Sequence, residues 1–112
     1  MEDHLLILKL ENHPEHTVLR CSGRILRGDG ADELLQVAKA QEKRNLQIDL
    51  RDVDAIDAGG LGTLATLEQW AAEHNRTLQV LNPTGIVREA IEATHLNFVL
   101  QVAAAQTSNA AA

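Results

Sequence analysis

Four carboxylates crowd one short stretch of the sequence, and carboxylates at this density can hold Mg²⁺ or work as an acid–base pair. No nucleophile accompanies them, because Ser22 and Ser108 are the only serines and neither has a matching histidine and acid nearby. Acids in the loop after a strand are ordinarily solvated. We therefore expect no catalytic residue and no enzymatic activity. The four acids are Asp49, Asp52, Asp54 and Asp57.

Residues that could hold a metal or a phosphate are equally sparse. The five histidines are scattered, and no two share the i, i+4 spacing of a helical metal site. Cys21 is the only cysteine, so a thiolate zinc site would lack ligands, and a lone cysteine in a strand pattern is predicted to be a buried apolar residue. Gly28-Asp29-Gly30 has no lysine or further glycine to form a phosphate cradle. The sequence predicts no metal and no cofactor.

Composition excludes several classes of function. The chain has 112 residues, a net charge of -6 and only 2% aromatic residues, which disfavours both phosphate-backbone binding and base stacking. No apolar run approaches the ~20 residues that span a bilayer, and the acidic start at residues 1–4 is unlike a signal peptide. We expect a cytoplasmic protein without nucleic-acid binding or membrane insertion, with one domain at residues 1–103 and a disordered tail at 104–112.

The apolar pattern predicts strands separated by helical segments in the order β-β-α-β-α-β-α, with a short last strand. The first two strands are predicted to form a hairpin, and the later alternation implies right-handed parallel crossovers. The expected fold is α/β, a mixed sheet with three to four packed helices. Predicted strands cover 5–10, 17–26, 46–53, 78–81 and 99–102. Predicted helices cover 29–43, the segment from the glycine pair to about 74, and a segment that Asn82-Pro83 opens, with Asp29 and Asn82 as caps.

A strand-to-helix corner at residues 57–62, Asp-Ala-Gly-Gly-Leu-Gly, is the most informative part of the chain. Glycine allows close approaches that side chains forbid, and the start of a helix offers unpaired N–H donors. In the following helix Leu64, Leu67 and Ala71 are predicted to face the sheet. Thr63, Thr66 and Trp70 are predicted to share a flank beside them.

This organisation resembles the STAS domain family over roughly residues 5–102. The resemblance rests on Ser22-Gly23-Arg24-Ile25 at the end of the second strand, on the strand at 46–50, on the corner, and on the strand at 78–81 with a helix after it. It implies a regulatory binding protein similar to anti-sigma factor antagonists. Many such proteins bind a GHKL-type serine kinase, which phosphorylates the second serine of an Asp-Ser-Ser-Gly-Leu corner.

The chain departs from that pattern at the phosphorylated position. Asp57 matches the acid, whereas Ala58 and Gly59 stand in place of the two serines. The acid usual after the strand-ending glycine motif is also replaced, by Leu26. Phosphate would add about two negative charges to a binding surface. The resemblance therefore implies a docking protein that is not switched by phosphate at position 59.

The partner surface implied by the resemblance is the corner together with the exposed flank of its helix, and it comprises Asp57, Ala58, Gly59, Gly60, Leu61, Thr63, Thr66 and Trp70. Asp57 could instead only cap the helix, and Trp70 could be a packing residue. Thr63 could serve as a substitute phosphosite. Two other functions stay open: a STAS subunit of a lipid-trafficking ABC transporter, bound to its ATPase and favoured by Gly59-Gly60-Leu61, and a weak nucleotide-binding module. A signalling scaffold as partner and a homodimer also stay open.

Overall fold

A computed structural model of the chain describes residues 6–96 and 102–103, which form a mixed sheet with helices packed on it. The sheet runs in sequence order, with its first two strands antiparallel and every later neighbour parallel. The predicted α/β fold with an N-terminal hairpin is confirmed. The elements are β1 (Leu6–Asn12), β2 (Thr17–Ile25), α1 (Asp29–Lys39), β3 (Asn45–Ile56), α2 (Ala58–Glu73), β4 (Thr77–Leu81), α3 (Gly85–Ala93) and β5 (Val102–Ala103).

One apolar cluster joins the helices to a single face of the sheet. Leu19, Ile48 and Val80 are fully buried neighbours in successive parallel strands, and residues of all three helices belong to the same cluster. The predicted sheet-facing residues of α2 are confirmed as buried: Leu64, Leu67 and Ala71. Cys21 is buried in this cluster as expected. Side chains alternate between faces along a strand, so the other face carries the residues in between.

The second face of the sheet carries an ion pair between a buried carboxylate and an exposed arginine. Arg20 and Asp49 lie directly opposite each other in β2 and β3, and the Arg20 Nη1 is 2.5 Å from the Asp49 Oδ2. The other oxygen of Asp49 accepts from the Arg51 backbone N–H at 2.9 Å and from the Asn82 amide at 3.3 Å. The expectation that these acids are solvated is wrong for Asp49, which is 3% exposed. Asp49 is a residue of β3, and the positive charge of Arg20 balances the negative charge of its carboxylate. A buried charge is tolerated when it is paired and hydrogen-bonded in this way.

The start and end of α1 differ from the prediction. Gly28 is the N-cap, with φ 100° and ψ -134°, and no side chain caps the helix; Asp29 is its first helical residue. Glycine adopts a positive φ without steric strain. Gly28 can therefore occupy the N-cap position, and the helix begins one residue earlier than it would with Asp29 as the cap. The helix ends at Lys39, before the predicted Lys43, and the Gln41 side chain donates to the Val37 carbonyl at 2.7 Å beyond its end.

The start of α3 also differs from the prediction. Asn82 has φ 55° and points its amide at Asp49, so it is part of the β4–α3 turn and does not cap the helix. Thr84 occupies the N-cap position, and Gly85 follows as the first helical residue. A proline at the first helical position is therefore wrong here, and Pro83 is buried in the turn instead.

Three further predictions concern the end of β3, the last strand and the C-terminal tail. β3 reaches Ile56, three residues beyond the predicted end. The predicted last strand at 99–102 lies outside the described residues except for its end, where Val102 and Ala103 pair with β4. The predicted tail at 104–112 lies outside them entirely. In the described part of the chain, no helix has both the length and the apolar character that crossing a bilayer requires.

Candidate docking site at the start of α2

Asp57 connects the end of β3 to the start of α2. It is the N-cap of α2, in an extended conformation, and its Oδ1 accepts from the Gly60 N–H at 2.9 Å. This bond satisfies one of the donors that every helix leaves unpaired at its first turn. The capping interpretation of Asp57 is therefore confirmed.

Asp57 has a second structural role that its sequence position does not reveal. Both of its carboxylate oxygens accept from the Arg27 backbone N–H at 3.0 Å, and its own N–H donates to the Ile25 carbonyl at 3.3 Å. The Arg27 bond and then the Gly60 bond hold the pKa of this carboxyl below its usual value, because both stabilise the charged form. The carboxylate thus ties the β2–α1 loop to the corner.

Two glycines of the corner allow this close contact with the loop. A Cβ at Gly60 would lie 2.3 Å from the Ile25 carbonyl oxygen, so only glycine fits there without movement of the backbone. A Cβ at Gly59 would lie 2.6 Å from the Arg27 Cβ and 2.8 Å from its Cα. Gly59 therefore has a steric reason to be glycine, in addition to any consequence for phosphorylation.

The exposed surface of the corner continues along one side of α2. Ala58, Gly62 and Thr66 are all exposed and follow one another at four-residue spacing, so they form a line along the helix, called here the small-residue line. Thr63 lies half-buried beside it. Leu61 is 8% exposed and belongs to the core cluster, so its side chain packs inward.

Gly62 is a candidate site residue that sequence reasoning missed. A Cβ built there meets nothing within 4 Å, and its backbone is not in the left-handed region. An interior helical glycine costs about 1 kcal/mol relative to alanine, so a glycine without any steric cause needs another reason. The sequence signal for this site is a third glycine, two residues after the Gly59-Gly60 pair and inside a helical pattern.

Trp70 lies far from the corner. It is twelve residues beyond Ala58, or about 18 Å along a helix with 1.5 Å rise. The Arg76 guanidinium carbon is 5.0 Å from the centroid of its ring, and the His74 ring is tilted against it at 5.4 Å. It is half-buried against the core cluster. The structure therefore brings Thr63 and Thr66 near the corner but not Trp70.

The possible metal ligands, the cavities and the cysteine thiol do not contribute to the corner. Among the described residues, no three of the side chains His, Cys, Asp and Glu come together in a group that could hold a metal ion. Two shallow polar cavities, of about 240 and 360 Å³, lie at the amino ends of the parallel strands. The corner lies at the opposite, carboxyl ends of these strands. The buried Cys21 thiol has its pKa raised to about 12, mainly because burial disfavours the thiolate.

Residues 8–101 match the family described as "Mlab, STAS domain". The chain belongs to the STAS domain family. A search of curated proteins found no match to this STAS domain.

Solved structures with this fold include two anti-sigma factor antagonists. One, from Mycobacterium paratuberculosis, is 24% identical with a TM-score of 0.71, and the alignment covers 87% of this chain and 84% of that chain. The other, unphosphorylated SpoIIAA, a Bacillus cell fate determinant, is 16% identical with a TM-score of 0.74 and 90% coverage of each chain.

The same fold also occurs inside a much longer membrane protein. The murine anion transporter Slc26a9 is 16% identical with a TM-score of 0.63, over 74% of this chain and 14% of the transporter chain. At these identities the solved structures establish the fold alone.

Proposed function

We propose that this STAS domain is a regulatory protein-binding domain, similar to an anti-sigma factor antagonist and without enzymatic activity. Its docking surface is the corner with the small-residue line of α2. The observation that carries the proposal is Gly62, an exposed helical glycine with open space in front of it. A partner backbone or helix can approach such a position closely, because no side chain stands in between.

The geometry of Asp57 supports docking at a fixed surface. Its bonds to Arg27 and Gly60 hold the loop, the strand end and the first turn of α2 together, so the surface is in place before a partner arrives. A preorganised surface loses less conformational freedom on binding. In this proposal Asp57 and Gly60 build the surface, while Ala58, Gly62 and Thr66 touch the partner.

The partner class follows from the resemblance to anti-sigma factor antagonists. It is a GHKL-type anti-sigma kinase or, alternatively, a larger signalling scaffold. Such a kinase could not phosphorylate Gly59, and the packing of Arg27 supports the absence of a switch at this position: a serine there would need the tied loop to move. The bound state is then controlled by other means than phosphate at 59.

A matched pair of variants tests the docking surface. Gly62→Gln places a long neutral side chain on the small-residue line, whereas Ala72→Gln places the same side chain at an exposed position near the other end of α2. Against the GHKL-type kinases of the source organism, we expect Gly62→Gln to weaken binding by about tenfold or more, the scale of a central interface position. We expect Ala72→Gln to bind as the unchanged protein does. Equal binding by all three proteins would reject the surface.

A second function is favoured by the glycine pair. The Gly59-Gly60-Leu61 corner resembles STAS subunits of lipid-trafficking ABC transporters more closely than it resembles kinase substrates, although Ala58 replaces the threonine of those subunits. The matched family carries the description "Mlab, STAS domain". The same surface would then contact an ATPase subunit. Parallel binding measurements with the ABC ATPase subunits and with the GHKL-type kinases of the source organism separate the two cases. Binding to an ATPase subunit alone would replace the kinase as partner and keep the docking surface.

A further inference from the structure

Among the described residues, β1 is an edge strand of the sheet with no neighbour on its outer side. In the described part of the chain it pairs only with β2, through an unbroken antiparallel register from Leu6 to Asn12. Two of its apolar side chains are exposed, Ile7 at 58% and Leu10 at 43%. Proteins usually blunt such an edge with proline, a bulge, a very short strand or charged side chains. β1 has no proline or bulge, and its two charged residues, Lys9 and Glu11, carry opposite charges that can attract a matching edge.

Lys9 lies in an unfavourable place within a single copy of the protein. It is directly opposite Arg20 in the hairpin, and like charges in this position repel. Arg20 is already paired, since its Nε and Nη2 contact the two Glu11 carboxylate oxygens at 2.6 and 3.2 Å. No ion pair of Lys9 is found among residues 6–96 and 102–103.

The sequence of β1 is self-complementary in one antiparallel register. With Leu10 opposite Leu10 of a second copy, Lys9 lies opposite Glu11 of that copy, and Glu11 lies opposite its Lys9. A two-fold axis perpendicular to the sheet generates both pairs at once and keeps the helices of both copies on the same side. The neighbouring register with Lys9 opposite Lys9 would place like charges together.

We propose that two copies of this chain associate through β1 as antiparallel neighbours, in the register that places Leu10 opposite Leu10. The contact gives each Lys9 an opposite charge that it lacks among residues 6–96 and 102–103 of its own copy, and it covers the exposed Leu10 side chains. A contact of one short strand is smaller than the roughly 1,200 Å² of a stable interface, so the dimer is weak and depends on concentration. It is independent of the proposed docking function, because residues 57–62 lie outside β1.

Sedimentation velocity of the full chain from about 10 μM to 1 mM, a range suited to a weak interface, tests the proposal with charge-reversal variants. Lys9→Glu alone and Glu11→Lys alone each create two like-charged pairs across the two-fold axis. We expect each to raise the dimer dissociation constant by about tenfold or more. An equimolar mixture of the two restores both opposite-charge pairs, so the mixture should recover the dimer. This recovery is specific to the proposed register.

Two further variants control for net charge and for folding. Lys39→Glu reverses an exposed charge on α1 and should dimerise like the unchanged protein. Leu10→Lys places two lysines opposite each other while leaving the Glu11–Arg20 ion pair intact, so it should also lose the dimer even if Glu11→Lys fails to fold. An unchanged protein that stays monomeric at 1 mM, or a Leu10→Lys variant that dimerises normally, would overturn the proposal.

Discussion

At the scale of single residues, Asp57 holds together segments that lie thirty positions apart in sequence. Its role as a helix cap could be predicted from an acid placed just before a helical pattern. Its bonds to the Arg27 N–H could not, because they depend on how the β2–α1 loop packs beside the corner. The same packing explains Gly59, for which the sequence suggested only the loss of a phosphosite.

Replacing Asp57 by asparagine should lower stability in a pH-dependent way. Asparagine can still cap α2, but it loses the charge that Arg27 and Gly60 stabilise. Because the folded pKa is lowered from its ordinary 3.8, the stabilisation is fully present above that value and is lost as pH falls through the folded pKa. Urea denaturation of both proteins from pH 7 to pH 3 should show a difference that shrinks only at the acid end. Asp54→Asn, at an exposed position, serves as the control, and a difference independent of pH would contradict the assignment.

Glu68 is the clearest local defect in the described part of the chain. Its Oε1 is buried without a hydrogen-bond partner, and desolvation raises the pKa of its carboxyl. For an acid with a raised folded pKa, stability is lost as pH rises from the ordinary 4.5 through the folded value. Glu68→Gln should therefore raise the melting temperature at pH 7 and have little effect below pH 4. Glu89→Gln, on the exposed side of α3, should change it at neither pH, and a Glu68→Gln variant that is less stable at pH 7 would refute the interpretation.

At the scale of elements, α2 contains glycines of opposite character within three positions. Gly60 is in contact with the Ile25 carbonyl, whereas Gly62 faces open space. From the sequence, both glycines are predicted only to lie at the start of a helix. The end of β2 shows that Gly60 must be glycine, whereas no neighbouring atom requires glycine at position 62. The helix ends were hard to predict for a similar reason: Gly28 and Thr84 cap α1 and α3 because of turn geometry, and Asn82 is engaged by Asp49.

Alanine at these two positions should have opposite effects on the free energy of unfolding. Gly60→Ala forces a Cβ against the Ile25 carbonyl oxygen and should destabilise by about 1–3 kcal/mol or more, as overpacking does. Gly62→Ala fills open space on a helix and should stabilise by about 1 kcal/mol. Chemical denaturation of both variants measures the two shifts. Equal effects of the same sign would contradict the distinction between them.

At the scale of the whole molecule, the pattern of apolar residues predicted the mixed sheet, its N-terminal hairpin and the helices packed on it. Leu19, Ile48 and Val80 follow this pattern and are buried as neighbours. Asp49 breaks the rule that acids stay solvated, because its partner Arg20 comes from another strand and the pairing depends on register. A charged residue inside a strand pattern was therefore the least predictable part of the fold.

Cys21 reports on the integrity of the whole core. It is 2% exposed, and its pKa of about 12 lies three units above the ordinary 9.0, which leaves about a thousandfold less thiolate near neutral pH. In the native protein it should therefore react with a thiol reagent at least about a hundredfold more slowly than in the unfolded chain. Mass spectrometry after timed labelling with and without urea measures the ratio. Fast labelling of the native protein would mean that this part of the sheet opens readily.

The central claim is that the corner docks a partner without a phosphate switch at position 59. In the most direct test, the protein is incubated with the GHKL-type kinase that binds it, once with ATP and once with ADP. The intact mass of the protein and the dissociation constant of the complex are then measured under both conditions. We predict an unchanged mass and the same dissociation constant in the two nucleotides, because Gly59 carries no hydroxyl. Stoichiometric phosphorylation within residues 57–63, accompanied by loss of binding in ATP, would contradict the account.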